Sequence, residues 1–567
     1  MNVLVISYEF SHSPFSGNGV LARSLVKGLL ACGNNCIVCC CKPAAEHAST
    51  DHPIASPEVP AMHEEALRVE PIQLPANVGW RRLDDQAAWD EFAVGAVAAL
   101  SSGRLNFVGP DPETPAPPAA VVVIDWTGGC AYRAIRGAWP PVDTMPAACP
   151  PSVYINFRVY SSGLSGTAVT QSAAWYDQRE REALSSAASA LALSTRDQAS
   201  LRALLFGPSS SLPIGLLLPC LRGDMQSLAL KPAAELAAKL PAAAARALAR
   251  ANARMSVGSG GSGGGGGSSD SGGSVDADTP RRAFLACGVR LSNEKNAMLF
   301  ASVLEACGEE LTRRGLVPLL FGATAEADYA AEVKRRVRAA GAAAAASAAA
   351  SAAASAAASD GGGGGGDGDR ACGGACGAVG GGVGGATEVA GGDSEAACGV
   401  VVIDQHLGPE EMAALFSHTA LNFHPCTYDA YGMSVVEAAA FGAPSIVNGG
   451  GTIGATALLG ADGCFQVDLD GHSTGAALTG AAPELAATIL AALDDAETMG
   501  RVAAAARERA LGWGEEAAGR QLHEAIVQAI GGVEIQPGEP AAAYSPGKYS
   551  SSPVFRHADE DLADVDP

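Results

Sequence analysis

The chain has 567 residues, a formal net charge of −23 and 48% hydrophobic residues. Nucleic-acid binding needs a basic surface, so this acidic balance predicts no nucleic-acid partner. No apolar run approaches the ~18–20 residues that span a bilayer, and the start MNVLVISYEF resembles a strand rather than a signal peptide. We therefore expect a cytoplasmic protein without a transmembrane segment.

Low-complexity stretches divide the chain. Residues 256–274 are nearly all Gly and Ser, and residues 338–399 join an Ala run to Gly-rich sequence. Such stretches hold too little apolar surface to offset the entropy of ordering, so we expect them to be disordered. The predicted domains are an N-terminal domain at 1–225, a linker at 226–282, a C-terminal domain at 283–531 interrupted by 338–399, and a disordered acidic tail at 532–567.

Cysteine spacing indicates no metal site. Cys36, Cys39, Cys40 and Cys41 fall in one apolar run, which is typical of buried free thiols in a reduced compartment. Cys372 and Cys376 lie in the Gly-rich insert without a His or a second Cys pair at suitable spacing. We therefore expect no bound metal ion.

The N-terminal segment predicts a doubly wound α/β domain. An apolar strand at 2–7 precedes a loop that contains Gly17 and Gly19, a helix that ends near Gly33, and a second strand at 37–41. This order is a βαβ unit. Further buried strands at 121–124 and 153–157 end in the sequences Asp125-Trp126-Thr127 and Asn156-Phe157-Arg158.

The C-terminal segment repeats this order of elements. Strands are predicted at 284–288 and 317–321, with a helix at 297–314 between them. Arg290 and Lys295 lie in the loop after the first of these strands, five residues apart in a chain poor in cations. Two cations at the end of one strand can clamp a diphosphate.

The segment 424–444, HPCTYDAYGMSVVEAAAFGAP, is the most informative part of the chain. It follows a short apolar strand and contains a Gly turn that opens a helix, so backbone N–H groups and the helix dipole favour an anion there. Glu437, one turn into that helix, suits a sugar hydroxyl better than a phosphate. The pattern indicates a ligand with both phosphate and sugar parts.

These residues resemble the acidic signature of retaining GT-B glycosyltransferases of family 4, whose usual form is Glu-x-Phe-Gly-x-x-x-x-Glu-Ala. Asp429 stands in place of the first Glu and Tyr431 in place of Phe, whereas Gly432 and Glu437 match. The family's Arg-x-x-x-x-Lys pair matches Arg290 and Lys295. The resemblance implies an α/β, GT-B-like fold with two Rossmann-like doubly wound domains facing across a cleft.

The resemblance also implies roles for individual residues in a retaining transfer of a sugar, most simply a hexose, from a nucleotide-sugar donor. Arg290 and Lys295 would hold the donor diphosphate, Asp429 would contact donor-sugar hydroxyls and Glu437 the nucleotide ribose. The donor site would further include Gly17, Gly19, Tyr431, Gly432, Met433 and Ser434. The family generally needs no metal or other cofactor, and the acceptor, whether carbohydrate, lipid or small molecule, stays unassigned.

Two departures keep other functions open. Many family members carry a His at the ends of the middle N-terminal strands, where this chain has none, and His424 is expected to be a structural loop histidine. With Asp429 in place of Glu, this leaves as the alternative a non-catalytic sugar-nucleotide-binding or scaffold protein on a decayed GT-B fold. A dehydrogenase would need Gly-x-Gly-x-x-Gly after its first strand and an acid near the end of its second, whereas here the loop after the first strand is long and the second strand ends Cys-Cys-Cys-Lys.

Overall fold

The computed structural model describes residues 1–12, 17–44, 65–79, 86–109, 115–139, 149–160, 173–205, 211–258, 282–360, 399–470 and 475–531. Its strands are β1 Asn2–Ser7, β2 Asn35–Lys42, β3 Leu67–Gln73, β4 Phe107–Val108, β5 Pro115–Ala116, β6 Ala120–Ile124, β7 Ser152–Asn156, β8 Ser189–Ala192, β9 Ile214–Leu216, β10 Phe284–Gly288, β11 Val317–Phe321, β12 Val401–Ile403, β13 Thr419–Phe423, β14 Ser445–Asn448 and β15 Phe465–Val467.

The helices cover both faces of the sheets. They are α1 Gly17–Ala31, α2 Gln86–Ser101, α3 Asp125–Ala138, α4 Ala173–Ser185, α5 Thr195–Leu204, α6 Gly223–Ala229, α7 Ala233–Ala237, α8 Ala242–Gly258, α9 Ala297–Arg313, α10 Ala327–Asp360, α11 Pro409–Ser417, α12 Met433–Ala440, α13 Ala455–Leu459, α14 Gly475–Asp494, α15 Ala496–Gly512 and α16 Glu515–Gly531. Within the described part of the chain, no helix has the length and hydropathy to span a membrane.

Two parallel sheets organise the molecule. The first has the order β3-β2-β1-β6-β7-β8-β9 and the second the order β12-β11-β10-β13-β14-β15. In each sheet the strand order reverses direction once, between β1 and β6 in the first and between β10 and β13 in the second, and we call these positions switch points. Ligands of doubly wound folds bind at the carboxyl ends of the strands at such points. The predicted α/β architecture with two Rossmann-like domains is confirmed.

The strands are buried on both faces, as parallel strands between helical layers must be. Val3 and Val5 of β1 pack into one hydrophobic cluster, and Leu4 and Ile6 pack into another on the opposite face of the same sheet. The second sheet has its own cluster. The four cysteines of β2 are buried free thiols.

The expected linker differs from the structure over its described part. Residues 226–258 include the end of α6 and all of α7 and α8. These helices pack on the second sheet's core, α6 through Met225 and Leu228 and α8 through Leu248. The reason is that Leu and Ala recur there at helical spacing, which gives an apolar face to bury. Residues 259–281 lie outside the described residues.

The insert expected at 338–399 begins as helix. Helix α10 continues to Asp360, and Ala340 and Ala344, one turn apart, are buried. Small side chains thus form a narrow contact stripe where we expected none. Residues 361–398 and the predicted tail 532–567 lie outside the described residues.

The chain passes from one domain to the other twice, and the two crossing segments lie side by side. Leu221 forms a bridge with Gly514, just before α16 returns to pack on α1 of the first domain. The helices approach closely at Gly28 and Gly519, where an added Cβ on Gly28 would lie 2.7 Å from the Gly519 Cα. The C-terminal helix is therefore part of the first domain's surface.

Candidate functional site

The turn between β13 and α12 positions the acidic signature. Gly432 has a φ of 68°, a left-handed conformation that glycine adopts without steric cost. Its N–H donates to the Oδ1 of Asp429 over 3.2 Å. The amides of Met433 and Ser434 follow in the first helical turn, where N–H groups have no intrahelical acceptor. The turn thus directs donors and one carboxylate to the same edge of the second sheet.

Asp429 and Lys295 form a close ion pair. The Lys295 Nζ lies 2.9 Å from the Asp429 Oδ2, and the His424 Nε2 lies 3.3 Å from the same oxygen. Burial would raise the pKa of Asp429, but Lys295 and His424 outweigh burial and hold that pKa well below its ordinary value. Burial opposes the charge on Lys295, yet its pKa is raised because Asp429 compensates. Both groups are ionised at neutral pH.

His424 lies against the Asp429 carboxylate. Burial disfavours the imidazolium, but Cys426 and Asp429 outweigh it and raise the pKa of His424 to about 9. The Ser434 Oγ lies 3.4 Å from the His424 Nδ1. We expected a structural loop histidine; the structure instead places His424 within the ionic cluster.

The loop after β10 brings a third charged group to Lys295. A 3-10 turn spans Asn293–Lys295, and the Glu294 carboxylate it presents lies 3.8 Å from the Lys295 Nζ and 3.4 Å from an Arg290 nitrogen. Its remaining partner comes from the first domain, because the Arg158 Nη1 lies 2.8 Å from the Glu294 Oε1. The cations outweigh the upward effect of burial and lower the pKa of Glu294.

The site has a net positive charge. Four cations, which we name the cation cluster, surround two carboxylates, Glu294 and Asp429. The cluster consists of Arg158, Arg290, Lys295 and His424. Arg158, Arg290 and Lys295 alone outnumber those two carboxylates by one, and a protonated His424 adds a further positive charge. The diphosphate of a nucleotide sugar carries two negative charges, so its charge is opposite to that of the site.

Glu437 lies at the domain crossing. Its carboxylate is 3.0 Å from the Arg222 Nε, and Arg222 also contacts Asp224 at 3.5 Å. Glu437 is buried, and burial raises its pKa although Arg222 opposes that change. A buried acid with one cationic partner can still accept a hydrogen bond from a hydroxyl.

The remaining predicted residues lie elsewhere around this edge. Tyr431 is buried, and its hydroxyl donates to the Cys220 carbonyl over 3.3 Å, so it packs between the domains instead of facing the cleft. Gly17 and Gly19 belong to the first turn of α1 and not to a loop. A Cβ added to Gly17 would lie 2.6 Å from the Phe157 ring.

Sequence reasoning missed Asp125. It follows β6 at the first switch point with a φ of 58°, an uncommon conformation for a residue other than glycine. Its Oδ2 accepts a hydrogen bond from Asn18 over 3.3 Å. Burial raises the pKa of Asp125 to about 7, although the Trp126 amide, Asn18 and Arg158 oppose that change. The signal for it in the sequence is an acid directly after an apolar strand, at the position where the resemblance to family 4 leads one to expect a His.

Further polar contacts join the domains across the cleft. The Tyr428 hydroxyl donates to both carboxylate oxygens of Asp197, at 2.9 and 3.0 Å. The Thr195 hydroxyl donates to the Gly451 carbonyl over 3.3 Å. Together with the ion pair of Arg158 and Glu294, these contacts hold the two switch points face to face.

One group of side chains has metal-ligand chemistry. The ligand atoms of His424, Cys426 and Asp429 lie within 4.8 Å of one another. Lys295 already pairs with the Asp429 carboxylate, so a metal ion there would have to displace that ammonium group. The charges present suit an anion better than a cation.

No family model and no curated protein matches this chain by sequence. Solved structures match it along nearly its whole length. Sucrose-phosphate synthase from Thermosynechococcus elongatus has a TM-score of 0.54 at 14% identity, with 94% of this chain and 99% of that chain covered. HepE from Anabaena in complex with UDP-glucose has a TM-score of 0.50 at 12% identity, covering 93% and 100%.

A third neighbour is the trehalose-6-phosphate synthase OtsA, with a TM-score of 0.54 at 11% identity and coverage of 93% and 99%. These neighbours are GT-B glycosyltransferases. The fold is GT-B. The predicted fold class is thereby confirmed, whereas identities this low carry no assignment of substrate.

Proposed function

We propose that this protein is a retaining glycosyltransferase that moves a sugar, most simply a hexose, from a nucleotide-sugar donor to an acceptor hydroxyl. The observation that carries the proposal is the cation cluster, whose cations outnumber the carboxylates of Glu294 and Asp429 and which lies where both switch points meet. HepE from Anabaena has been solved with UDP and with UDP-glucose, which supports UDP-sugars as the first donors to test.

The second domain binds the diphosphate of the nucleotide-sugar donor. Arg290 and Lys295 hold the diphosphate, supported by the amides at the start of α12. These donors stabilise the negative charge that develops on the departing nucleoside diphosphate, and a preorganised cation in a buried site does this without reorganisation. Lys295 has most effect, because it is largely buried whereas Arg290 is 41% exposed.

The two acids take different parts of the donor. Asp429 accepts hydrogen bonds from sugar hydroxyls, and its pairing with Lys295 and His424 keeps it ionised for that purpose. Glu437 accepts a hydrogen bond from a ribose hydroxyl while Arg222 balances its charge. Asp429 and Glu437 thus contact the two sugar rings of the donor, the transferred sugar and the ribose.

The first domain supplies the acceptor side. Asp125 is buried at the carboxyl end of β6, within electrostatic reach of Arg158. A carboxyl with a pKa of about 7 can orient an acceptor hydroxyl and exchange a proton with it near neutral pH. Retention of configuration follows from the resemblance to family 4 and belongs to this proposal.

Release of nucleoside diphosphate from a panel of UDP-, GDP- and ADP-sugars tests the proposal, measured with and without added acceptors. We expect at least one donor to be consumed by the wild-type protein and consumption to fall at least tenfold in Lys295→Ala. A donor that raises the melting temperature but is never consumed would support the non-catalytic binding protein instead. A panel in which no donor binds or reacts would overturn both.

A further inference from the structure

The first domain holds an arginine that the assigned donor groups do not use. Arg158 follows β7 and is 8% exposed, with its guanidinium 4.7 Å from the centre of the Tyr160 ring and 5.7 Å from that of Tyr428. Its Nη1 reaches the second domain to meet Glu294, but its buried Nε has no acceptor among the described residues. A buried guanidinium with an unused donor is costly unless an acceptor arrives.

Glu294 occupies the point where three cations converge. One oxygen, Oε1, lies 2.8 Å from the Arg158 Nη1 and 3.8 Å from the Lys295 Nζ. The other oxygen lies 3.4 Å from the Arg290 Nη2. An anion in this place touches cations from both domains at once. Arg290 and Lys295 are the pair assigned above to the donor diphosphate, so the carboxylate of Glu294 holds the position of a phosphate group.

We propose that Arg158 is the third cation of the diphosphate site, supplied by the first domain, and that Glu294 is the internal anion that the donor diphosphate displaces. This inference rests on the proposed function and adds to it a contact from the opposite domain. Arg158 then donates from Nη1 to a phosphate oxygen in the place of the Glu294 carboxylate, and its Nε, on another edge of the guanidinium, can donate to a second oxygen. A leaving diphosphate bridged by both domains is stabilised only when the domains are closed.

Inorganic pyrophosphate is the probe, because it carries the recognised group without base or sugar. Calorimetric titration compares the wild type with Arg158→Gln, Arg158→Lys and Glu294→Gln, and uridine serves as a ligand without phosphate. Arg133→Gln is the matched control, since it breaks an exposed ion pair with Glu182 in the same domain. Thermal unfolding of each variant verifies that it is folded.

Arg158→Gln should weaken pyrophosphate and UDP about tenfold or more, as expected for a lost charge-assisted hydrogen bond. The affinity of Arg158→Lys for both ligands should lie between those of Arg158→Gln and the wild type. Uridine affinity should be unchanged in both, and Arg133→Gln should bind all ligands as the wild type does. Equal pyrophosphate affinity in the wild type and Arg158→Gln would overturn the inference.

The Glu294 variant gives the sharper result. Glu294→Gln should bind pyrophosphate about threefold or more tightly, since the competing negative charge is gone. Its melting temperature should fall without ligand, because Arg158 loses its counterion, and should recover in pyrophosphate. A purely structural Glu294 predicts lower stability without tighter binding, which would overturn the inference.

The outcomes separate this inference from the proposed function. A wild-type protein that binds pyrophosphate and consumes a nucleotide sugar, with Arg158→Gln unchanged in both respects, refutes only the role of Arg158. A wild-type protein that binds neither pyrophosphate nor any nucleoside diphosphate refutes the proposed function and this inference together.

Discussion

Asp125 is a buried carboxyl of the first domain, and burial disfavours its ionised form. Replacing Asp125 with Asn removes this titrating group. Burial raises the pKa of Asp125 from an ordinary 3.8 to about 7. The native state therefore binds a proton more tightly than the unfolded chain does. This group's contribution to stability is fully present below pH 3.8 and is lost as the pH rises through about 7.

The size of the effect follows from that shift. Each pH unit between about 4 and 7 lowers the contribution by about 1.4 kcal/mol, so up to about 4 kcal/mol is lost by pH 8. Asn cannot ionise, has nearly the same shape, and tolerates the left-handed backbone at this position. Asp125→Asn should thus be more stable than the wild type at pH 8 and nearly equal to it at pH 4.

Scanning calorimetry from pH 4 to pH 8 measures this difference. The gap in melting temperature between Asp125→Asn and the wild type should widen as the pH rises to about 7 and then stay constant. Turnover should fall in the same variant if Asp125 serves the acceptor. Parallel pH profiles for the two proteins would refute the reasoning.

Asp429→Asn is the matched control of opposite sign. The pKa of Asp429 is held well below its ordinary value, so its contribution is present above about pH 4 and is lost in acid. Removing the charge leaves Lys295 and His424 without their shared anion. Asp429→Asn should therefore be less stable than the wild type at neutral pH.

The remaining predictions concern the donor. Arg290→Ala and Lys295→Ala should each weaken nucleoside diphosphate binding by about 1.5–3 kcal/mol, with the larger loss for the more buried Lys295. Unchanged calorimetric affinities would show that neither residue belongs to the site. Glu437→Gln should weaken free nucleotide and nucleotide sugar alike, whereas Asp429→Asn should reduce turnover without weakening free nucleotide, because it removes an anion 2.9 Å from the Lys295 Nζ. Equal loss of free-nucleotide affinity in these two variants would contradict the division of roles.

Strand positions could be predicted because they depend on local apolar runs. The predicted bounds of β1, β10 and β11 match the structure. Strand β3, at Leu67–Gln73, was not predicted, since it lies at the sheet edge, alternates apolar with polar residues, contains Pro71 and has one buried residue. Helix α8 was not predicted either, because its apolar face is stabilised by packing against the second sheet's core and not by local sequence alone.

The sequence groups candidate site residues only where they share one short segment, as the signature residues do. The structure places Asp429 of the signature 2.9 Å from Lys295 of the distant loop, and the roles of both toward a donor stay predictions. Tyr431 occupies the signature's aromatic position but packs against Cys220. The pairing of Arg158 with Glu294 spans 136 residues and two domains, and no local pattern encodes such a contact.

Proton NMR of a reaction mixture tests the central claim most directly, because one spectrum follows the donor's anomeric signal, the nucleoside diphosphate and the product. The account predicts that the donor signal decays as nucleoside diphosphate appears in equal amount and that the product keeps the donor's anomeric configuration. It also predicts that the donor signal decays at least tenfold more slowly with Lys295→Ala. A donor that binds yet stays intact would contradict the claim of catalysis, and a product of inverted configuration would contradict the claim of retention.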